Sequence, residues 1–159
     1  MVTWGQLVTN PALFVACGAG SGLSPVASGT IGTLFSWLCY APLRVLMTSE
    51  IVFATFLLLM FALGVICCEL AGRYLGMADH DAIVWDEIVP FWALLWLVPD
   101  TIVWQSVAFL LFRLFDIAKP WPCSYFDLEV KNGFGVMMDD LVAAFYAVLC
   151  IAVAKHLDL

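Results

Sequence analysis

Pro99-Asp100 sits almost at the midpoint of residues 88–112, a stretch of 25 residues in which Asp100 is the only charge. A single helix there would hold a charged, proline-broken turn at mid-membrane, which is expensive. Each half, 88–98 or 101–112, reaches only about 16–18 Å as a helix. That falls short of the roughly 30 Å of hydrocarbon in a bilayer. The interruption therefore predicts a helical hairpin that enters a membrane and leaves on the same side. The polar segments 18–32, 69–87 and 113–140 then share one face. A single crossing over 88–112 would split them across the bilayer, and they could not build one site.

The membrane setting follows from composition. The chain is 64% hydrophobic and 12% charged, with a mean hydropathy of +1.02. A soluble domain carries about 25% charged residues. Ile51 to Cys68 is 18 residues without a charge, and Ile31 to Met47 is apolar up to Arg44, with residues 48–50 a tight connection between the two runs. Both reach the lower range for a spanning helix. Leu141 to Ala154, extended back over Gly133 to Met138, makes one more span. Residues 1–17 read as an amphipathic or interfacial helix and lack the basic n-region and cleavage site of a signal peptide. The expected fold is all-α. It is one domain over 1–159, a multi-spanning helical membrane protein with a re-entrant or interfacial hairpin. The face shared by the polar segments holds Arg73, Arg113, Lys119 and Lys131, with Arg44 and Lys155 opposite, so the positive-inside rule makes it cytoplasmic. The six scattered cysteines read as buried thiols, because disulfide frameworks belong to small secreted domains.

Charge narrows the function. A net charge of −7 and a pI near 4.4 argue against nucleic acid, whose phosphates are neutralised by basic residues. A phosphorylated substrate would need a divalent cation between two sets of anions. The densest acid lies in residues 79–87, where Asp79, Asp81, Asp86 and Glu87 flank His80. Asp79 and Asp86 are seven apart and would share a helical face. Hard cations such as Mg²⁺ take carboxylates together with substrate phosphate oxygens. The plain alternative is a solvated acidic loop at a membrane edge.

Residues 112–122, Phe-Arg-Leu-Phe-Asp-Ile-Ala-Lys-Pro-Trp-Pro, are more informative. Arg113 and Asp116 are i, i+3 neighbours on a helix that must end before Pro120, and Lys119 follows. The basic pair could clamp a phosphate or simply snorkel as a juxtamembrane anchor. Asp139-Asp140 forms a second acidic doublet at the head of an apolar helix, where the ordinary explanation is the helix dipole. The 18–32 segment offers backbone N–H groups and the hydroxyls of Ser21, Ser24, Ser28 and Thr30 for phosphate oxygens. It fits no nucleotide-binding pattern. Cys67 and Arg73 carry the Cys-x5-Arg spacing of cysteine-nucleophile phosphatases, but Glu69 would lie within that phosphate loop and repel the substrate.

Four blocks in order give the chain a family resemblance: Gly-Ser-Gly-Leu-Ser-Pro…Ser-Gly-Thr-Ile-Gly-Thr (20–33), Ile-Val-Trp-Asp-Glu (83–87), residues 112–122 above, and Gly-Phe-Gly-Val-Met-Met-Asp-Asp (133–140). The chain resembles phosphatidylglycerophosphatase A, a bacterial membrane lipid phosphatase. It departs from the family pattern at Ser28, where proline is usual, at Pro90, where glycine is usual, and at Asp81, where a small residue is usual. None of these removes a candidate ligand. The resemblance implies Mg²⁺-dependent hydrolysis of phosphatidylglycerophosphate to phosphatidylglycerol and phosphate, with the lipid in the bilayer of the bacterial inner membrane and the site on its cytoplasmic face. By position it implies Asp79, Asp86, Glu87, Asp116, Asp139 and Asp140 as acidic site residues, and Arg113 and Lys119 as phosphate contacts.

The expected roles are these. Asp79, Asp86, Glu87, Asp139 and Asp140 are the metal candidates. Asp86, Glu87, Asp116 and Lys119 are the catalytic ones. Ser21, Ser24, Thr30, Arg113 and Lys119 would bind substrate. The expected reaction is metal-assisted attack of water, with Asp86 or Glu87 orienting or deprotonating it, and an aspartyl-phosphate route as the variant. The rival from another class is a cation or proton transporter, since acids inside membranes also serve transport.

Overall fold

The computed structural model describes residues 2–157, and the regular structure in them is helical throughout. Helix α1 (Trp4–Thr9) opens on a capping box between Thr3 and Gln6. Asn10 closes α1 and caps α2 (Pro11–Ala16), its side chain accepting from the Leu13 N–H. Pro11 takes the first helical position, where its missing N–H leaves nothing unpaired. In place of one helix over 1–17 the described residues therefore form two short ones, hinged at Asn10-Pro11. A 3-10 segment, Gly18–Leu23, turns the chain, with Gly18, Ala19 and Gly20 at positive φ.

Helix α3 (Ser28–Leu46) starts three residues before the apolar run. Helix α4 (Glu50–Leu75) begins after a tight turn and continues well beyond Cys68. Glu69 and Arg73 pair at 2.8 Å across one turn, so polar sequence extends the helix until Gly76, at φ 76°, caps it. The polar connection is thus 76–84, shorter than the expected 69–87. Helices α5 (Trp85–Leu97) and α6 (Ile102–Ala118) are separated by residues 98–101, where the Thr101 side chain caps α6. Glu87 near the start of α5 meets Arg113 near the end of α6 at 2.9 Å, so the pair folds back as Pro99-Asp100 required. Both arms exceed the apolar stretch, reaching back to Trp85 and on to Ala118. The short α7 (Cys123–Glu129) leads to α8 (Gly133–His156), capped by Asn132.

Among the described residues two helices, α4 and α8, are long and apolar enough to cross a membrane, and α3, which holds the run 31–47 expected to span, is not one of them. Only 28% of the most apolar window of α4 is buried, whereas the core helix of a soluble domain would be mostly covered. Ile51, Leu58, Leu59, Ile66 and Leu70 make its outer surface. α3, α5 and α8 start, and α6 ends, toward one end of the bundle, and α4 runs on past the head of α5 to Leu75. The turns at 47–49 and 98–101 lie at the other. Between the ends Ile88, Phe91, Leu94, Leu95 and Phe112 are fully buried. The Trp85 indole N–H donates to the Met60 carbonyl at 3.1 Å. The head of α5 therefore sits midway along α4, level with its apolar run.

Candidate active site

Side chains far apart in sequence converge at the end where α3, α5 and α8 begin, around a cavity of about 670 Å³. Loop 76–84 brings Asp79, His80 and Asp81, and the first turn of α5 brings Asp86 and Glu87. The last turns of α6 bring Arg113 and Asp116, followed by Lys119, and α8 brings Asp139 and Asp140. Seven carboxylates thus line the cavity against two cations. Asp86, Glu87, Asp139 and Asp140 are only 6, 8, 4 and 3% exposed, a degree of burial that acids reach only with partners.

Five of these acids, with Asp127 beside them, form two groups, and Asp81 and Asp86 stand outside both. Asp79, Asp127 and Asp139 each place an oxygen within 4.8 Å of the others. Lys119 Nζ stands among them, 2.7 Å from Asp127 Oδ1, 2.7 Å from Asp139 Oδ2 and 3.9 Å from Asp79 Oδ2. Glu87, Asp116 and Asp140 form the second group, again within 4.8 Å. Arg113 Nη1 lies 2.9 Å from Glu87 Oε1 and 2.7 Å from Asp116 Oδ2. Both contacts run through one guanidinium nitrogen, and the buried Nε has no partner among the described residues. Asp140 is joined by its backbone N–H to Asp139 Oδ1 at 2.9 Å. Its own carboxylate has no ion-pair or hydrogen-bond partner among the described residues.

The second group is braced from α3. Thr33 Oγ1 lies 3.1 Å from Glu87 Oε2 and 2.9 Å from the Gly29 carbonyl. A Cβ at Gly29 would strike the Glu87 carboxylate, so only glycine lets the first turn of α3 come this close. Pro90 acts from the other side. It lacks the N–H that would bond the Asp86 carbonyl within the helix, loosening the turn that carries both acids.

Burial raises the Asp86 carboxyl well above the usual carboxylate range, and the charges of Asp79, Glu87, Asp139 and Asp116 add to the shift. Burial also raises Glu87, to about 7, against the pull of Arg113. For Lys119 burial acts downward, but the carboxylates of Asp139, Asp127 and Asp79 outweigh it and its pKa rises. Lys119 is held charged, while Asp86 and Glu87 are held ready to take protons.

The structure distributes the sequence candidates unevenly. Asp79 lies in a loop, so it does not share a helical face with Asp86. Asp139 and Asp140 come almost two turns into α8, beyond reach of the first-turn dipole account. Arg113 and Asp116 pair as their spacing suggests. Ser24 lines the cavity, with its hydroxyl donating to the Val26 carbonyl at 2.7 Å. Ser21 and Thr30 are not among the lining residues, and Ser21 donates to the Gly18 carbonyl instead. Cys67 is buried in the middle of α4, far from any loop, and Arg73 is occupied by Glu69. That disposes of the cysteine-phosphatase spacing, and all six cysteines are free thiols. Sequence reading missed Asp127 and Thr33. Asp127 stands alone in Ser-Tyr-Phe-Asp-Leu-Glu with no doublet or spacing to mark it, and Thr33 lies in an apolar helix where a hydroxyl passes for packing.

The profile of the family described as phosphatidylglycerophosphatase A matches residues 14–155. The chain belongs to the phosphatidylglycerophosphatase A family. It is 43% identical over 149 residues to the phosphatidylglycerophosphatase A of Haemophilus influenzae, spanning 92% of this chain and 90% of that protein. Against the phosphatidylglycerophosphatase A of Escherichia coli the identity is 40% over 140 residues, or 86% of this chain and 78% of that one. A Bacteroides thetaiotaomicron protein, named as a candidate phosphatidylinositol-3-phosphatase, is 35% identical over 148 residues, covering 90% and 92%. No solved structure is significantly similar to the chain. As a member of the phosphatidylglycerophosphatase A family the chain is a lipid phosphatase, a phosphoric monoester hydrolase. The Glu87, Asp116 and Asp140 oxygens are a donor set of the kind hard divalent cations take.

Proposed function

We propose that the cavity removes the terminal phosphate of phosphatidylglycerophosphate at the cytoplasmic face of the bacterial inner membrane, using Mg²⁺ held by Glu87, Asp116 and Asp140. The observation that carries this reading is the meeting of both acidic doublets with Arg113 and Lys119 around one cavity. The carboxylates there outnumber the cations, and Asp140 is buried without a partner. A divalent ion in that position would offset repulsion between an acidic site and an anionic headgroup and polarise the phosphoryl group.

The rest is assigned to the chain's own side chains. Arg113, which lines the cavity and is tied to Glu87 and Asp116, is the cation to stabilise the charge that builds on a phosphoryl oxygen. Asp86 lines the cavity and is free of ion pairs, so it is the group to accept the proton of the attacking water. Glu87 is engaged by Arg113 and Thr33 and serves as a ligand. Ser24, in the turn before α3, and the backbone near Gly29 in the first turn of α3 face the headgroup, and Ile117, on the rim from α6 and 74% exposed, faces the acyl chains. α4 and α8 cross the membrane. The α5–α6 hairpin enters and leaves on the side of the site, and the whole chain acts as one lipid-phosphatase domain. A transporter would need a polar path through the bundle, but below the acids lie Ile88, Phe91, Leu94, Leu95 and Phe112, all buried.

The test is phosphate release from a panel of phospholipid monoesters, with Mg²⁺ or a chelator. Phosphatidylglycerophosphate is expected to be hydrolysed, the chelator to stop the reaction, and Asp86→Ala and Lys119→Ala to abolish it in folded protein. Near-normal turnover in both variants would refute the assignment, and labelled phosphate trapped on the protein would replace direct attack by the aspartyl-phosphate route.

A further inference from the structure

We infer that Lys119 is the built-in cation of the Asp79–Asp127–Asp139 group, so that the protein takes one divalent ion, between Glu87, Asp116 and Asp140, and not two. The inference rests on the metal reading above and concerns how many ions that reading admits. Both groups bring three carboxylate oxygens within 4.8 Å and both include a basic side chain. They differ in how the base sits.

Lys119 Nζ reaches all three carboxylates of its group, with true hydrogen bonds of 2.7 Å to Asp127 and to Asp139. An ammonium has three N–H donors, and here three acids surround it. It satisfies the demand that a metal ion would otherwise meet. Arg113 touches only two acids of its group, both through one nitrogen. Asp140, 3% exposed, is left without a counter-charge of its own. A buried carboxylate in that state requires a cation or a proton.

The backbone supports the assignment. Lys119 closes α6 in the left-handed conformation, at φ 42° and ψ 58°. Helices commonly put glycine at such a position, as α4 does with Gly76. A residue with a Cβ is strained there, and what the strain secures is an ammonium set among three carboxylates. Lys119 thereby also fixes Asp139, whose Oδ1 accepts the Asp140 N–H at 2.9 Å. The lysine is thus a positioning residue for the ligand next door.

Counting bound Mn²⁺ by equilibrium dialysis, on the full chain in detergent at pH 8, tests the inference. Wild type is expected to hold one ion per chain, Asp140→Asn none and Lys119→Met two. Two ions in wild type, one in folded Lys119→Met, or an ion retained by Asp140→Asn would each overturn it. No ion in wild type would overturn the metal reading itself. A measurement on wild type alone covers the case in which Lys119→Met fails to fold. Under amine labelling read by mass spectrometry, exposed Lys155 is expected to react while Lys119 stays protected, with and without Mn²⁺. Labelling of Lys119 that appears on adding Mn²⁺ would mean that the ion displaces the lysine, and the inference would fail.

Discussion

The two ends of the helix bundle hold the same kinds of side chain in opposite states. At the end away from the acids, Arg44 pairs with Glu50 at 2.7 Å, and Glu50 also accepts from the Trp96 indole. Gln105 donates to Asp100 at 2.8 Å and accepts from Trp37 at 2.7 Å. The cavity there is the larger of the two, about 1250 Å³, and mostly aromatic and aliphatic. Each of its charged side chains has a partner, Arg44 through Nη2 alone. At the other end seven carboxylates face two cations around about 670 Å³. Uncompensated charge, not volume, marks the reactive end. A paired group stabilises the fold and has little left for a ligand, whereas an excess of buried carboxylate draws a cation or protons.

The largest effect expected from this contrast is at Arg113. Arg113→Ala removes the one cation between Glu87 and Asp116, two carboxylates in a shared site, and with it the positive charge assigned to the phosphoryl group. Phosphate release at saturating Mg²⁺ is expected to fall by about 10²–10³-fold, with helicity by circular dichroism unchanged. Arg113→Lys should recover part of this, because an ammonium restores the charge but not the planar fork. A loss below tenfold in Arg113→Ala would mean that the acids of the second group do not depend on their arginine, and the contrast between the ends would lose its main support.

A smaller and graded effect is expected with pH. Burial raises the carboxyls of Asp86 and Glu87, the latter to about 7. Below that value Glu87 holds a proton that an incoming cation must displace; above it the ligand is already ionised. Cation affinity should therefore rise with pH and level off above neutrality. Each proton released contributes about tenfold per pH unit on the acid side. Titrating Mn²⁺ binding from pH 5.5 to 8.5 measures the slope, and a flat profile would show that the ligands are ionised throughout and that burial does not govern them.

How far the sequence disclosed these features depended on the range of the interactions involved. Pro99-Asp100 acts through the backbone alone, so the turn between α5 and α6 was legible, and with it the meeting of residues 85–87 with 113–119. Helix ends set by one local residue were legible too, such as the stop before Pro120. Where side chains across one turn settled a boundary, as Glu69 and Arg73 did for α4, the apolar count stopped too early. The doublets Asp86-Glu87 and Asp139-Asp140 announced themselves by charge density. Their division into two groups did not, because it depends on which acid Lys119 and Arg113 reach across the bundle. Asp127 and Thr33 had no local signature at all. Each matters only through a partner at a distance in sequence, Lys119 for one and Glu87 for the other.

The smallest effect should come from the paired end. Arg44→Met breaks the ion pair with Glu50, but that pair is open to water, with side chains 26 and 61% exposed, and such pairs add little to stability. The guanidinium also lies 4.8 Å over the Phe53 ring, a place a methionine can fill with a sulfur–aromatic contact. Turnover is expected to stay within twofold of wild type and the thermal midpoint to move only slightly. The outcome also tests how separate the ends are. Helix α5 carries Glu87 at its head and Trp96 near its foot, and Trp96 is bonded to Glu50. If Arg44→Met lowered turnover tenfold, the foot of α5 would be setting the position of its head. The hairpin would then have to be treated as one lever linking the two cavities.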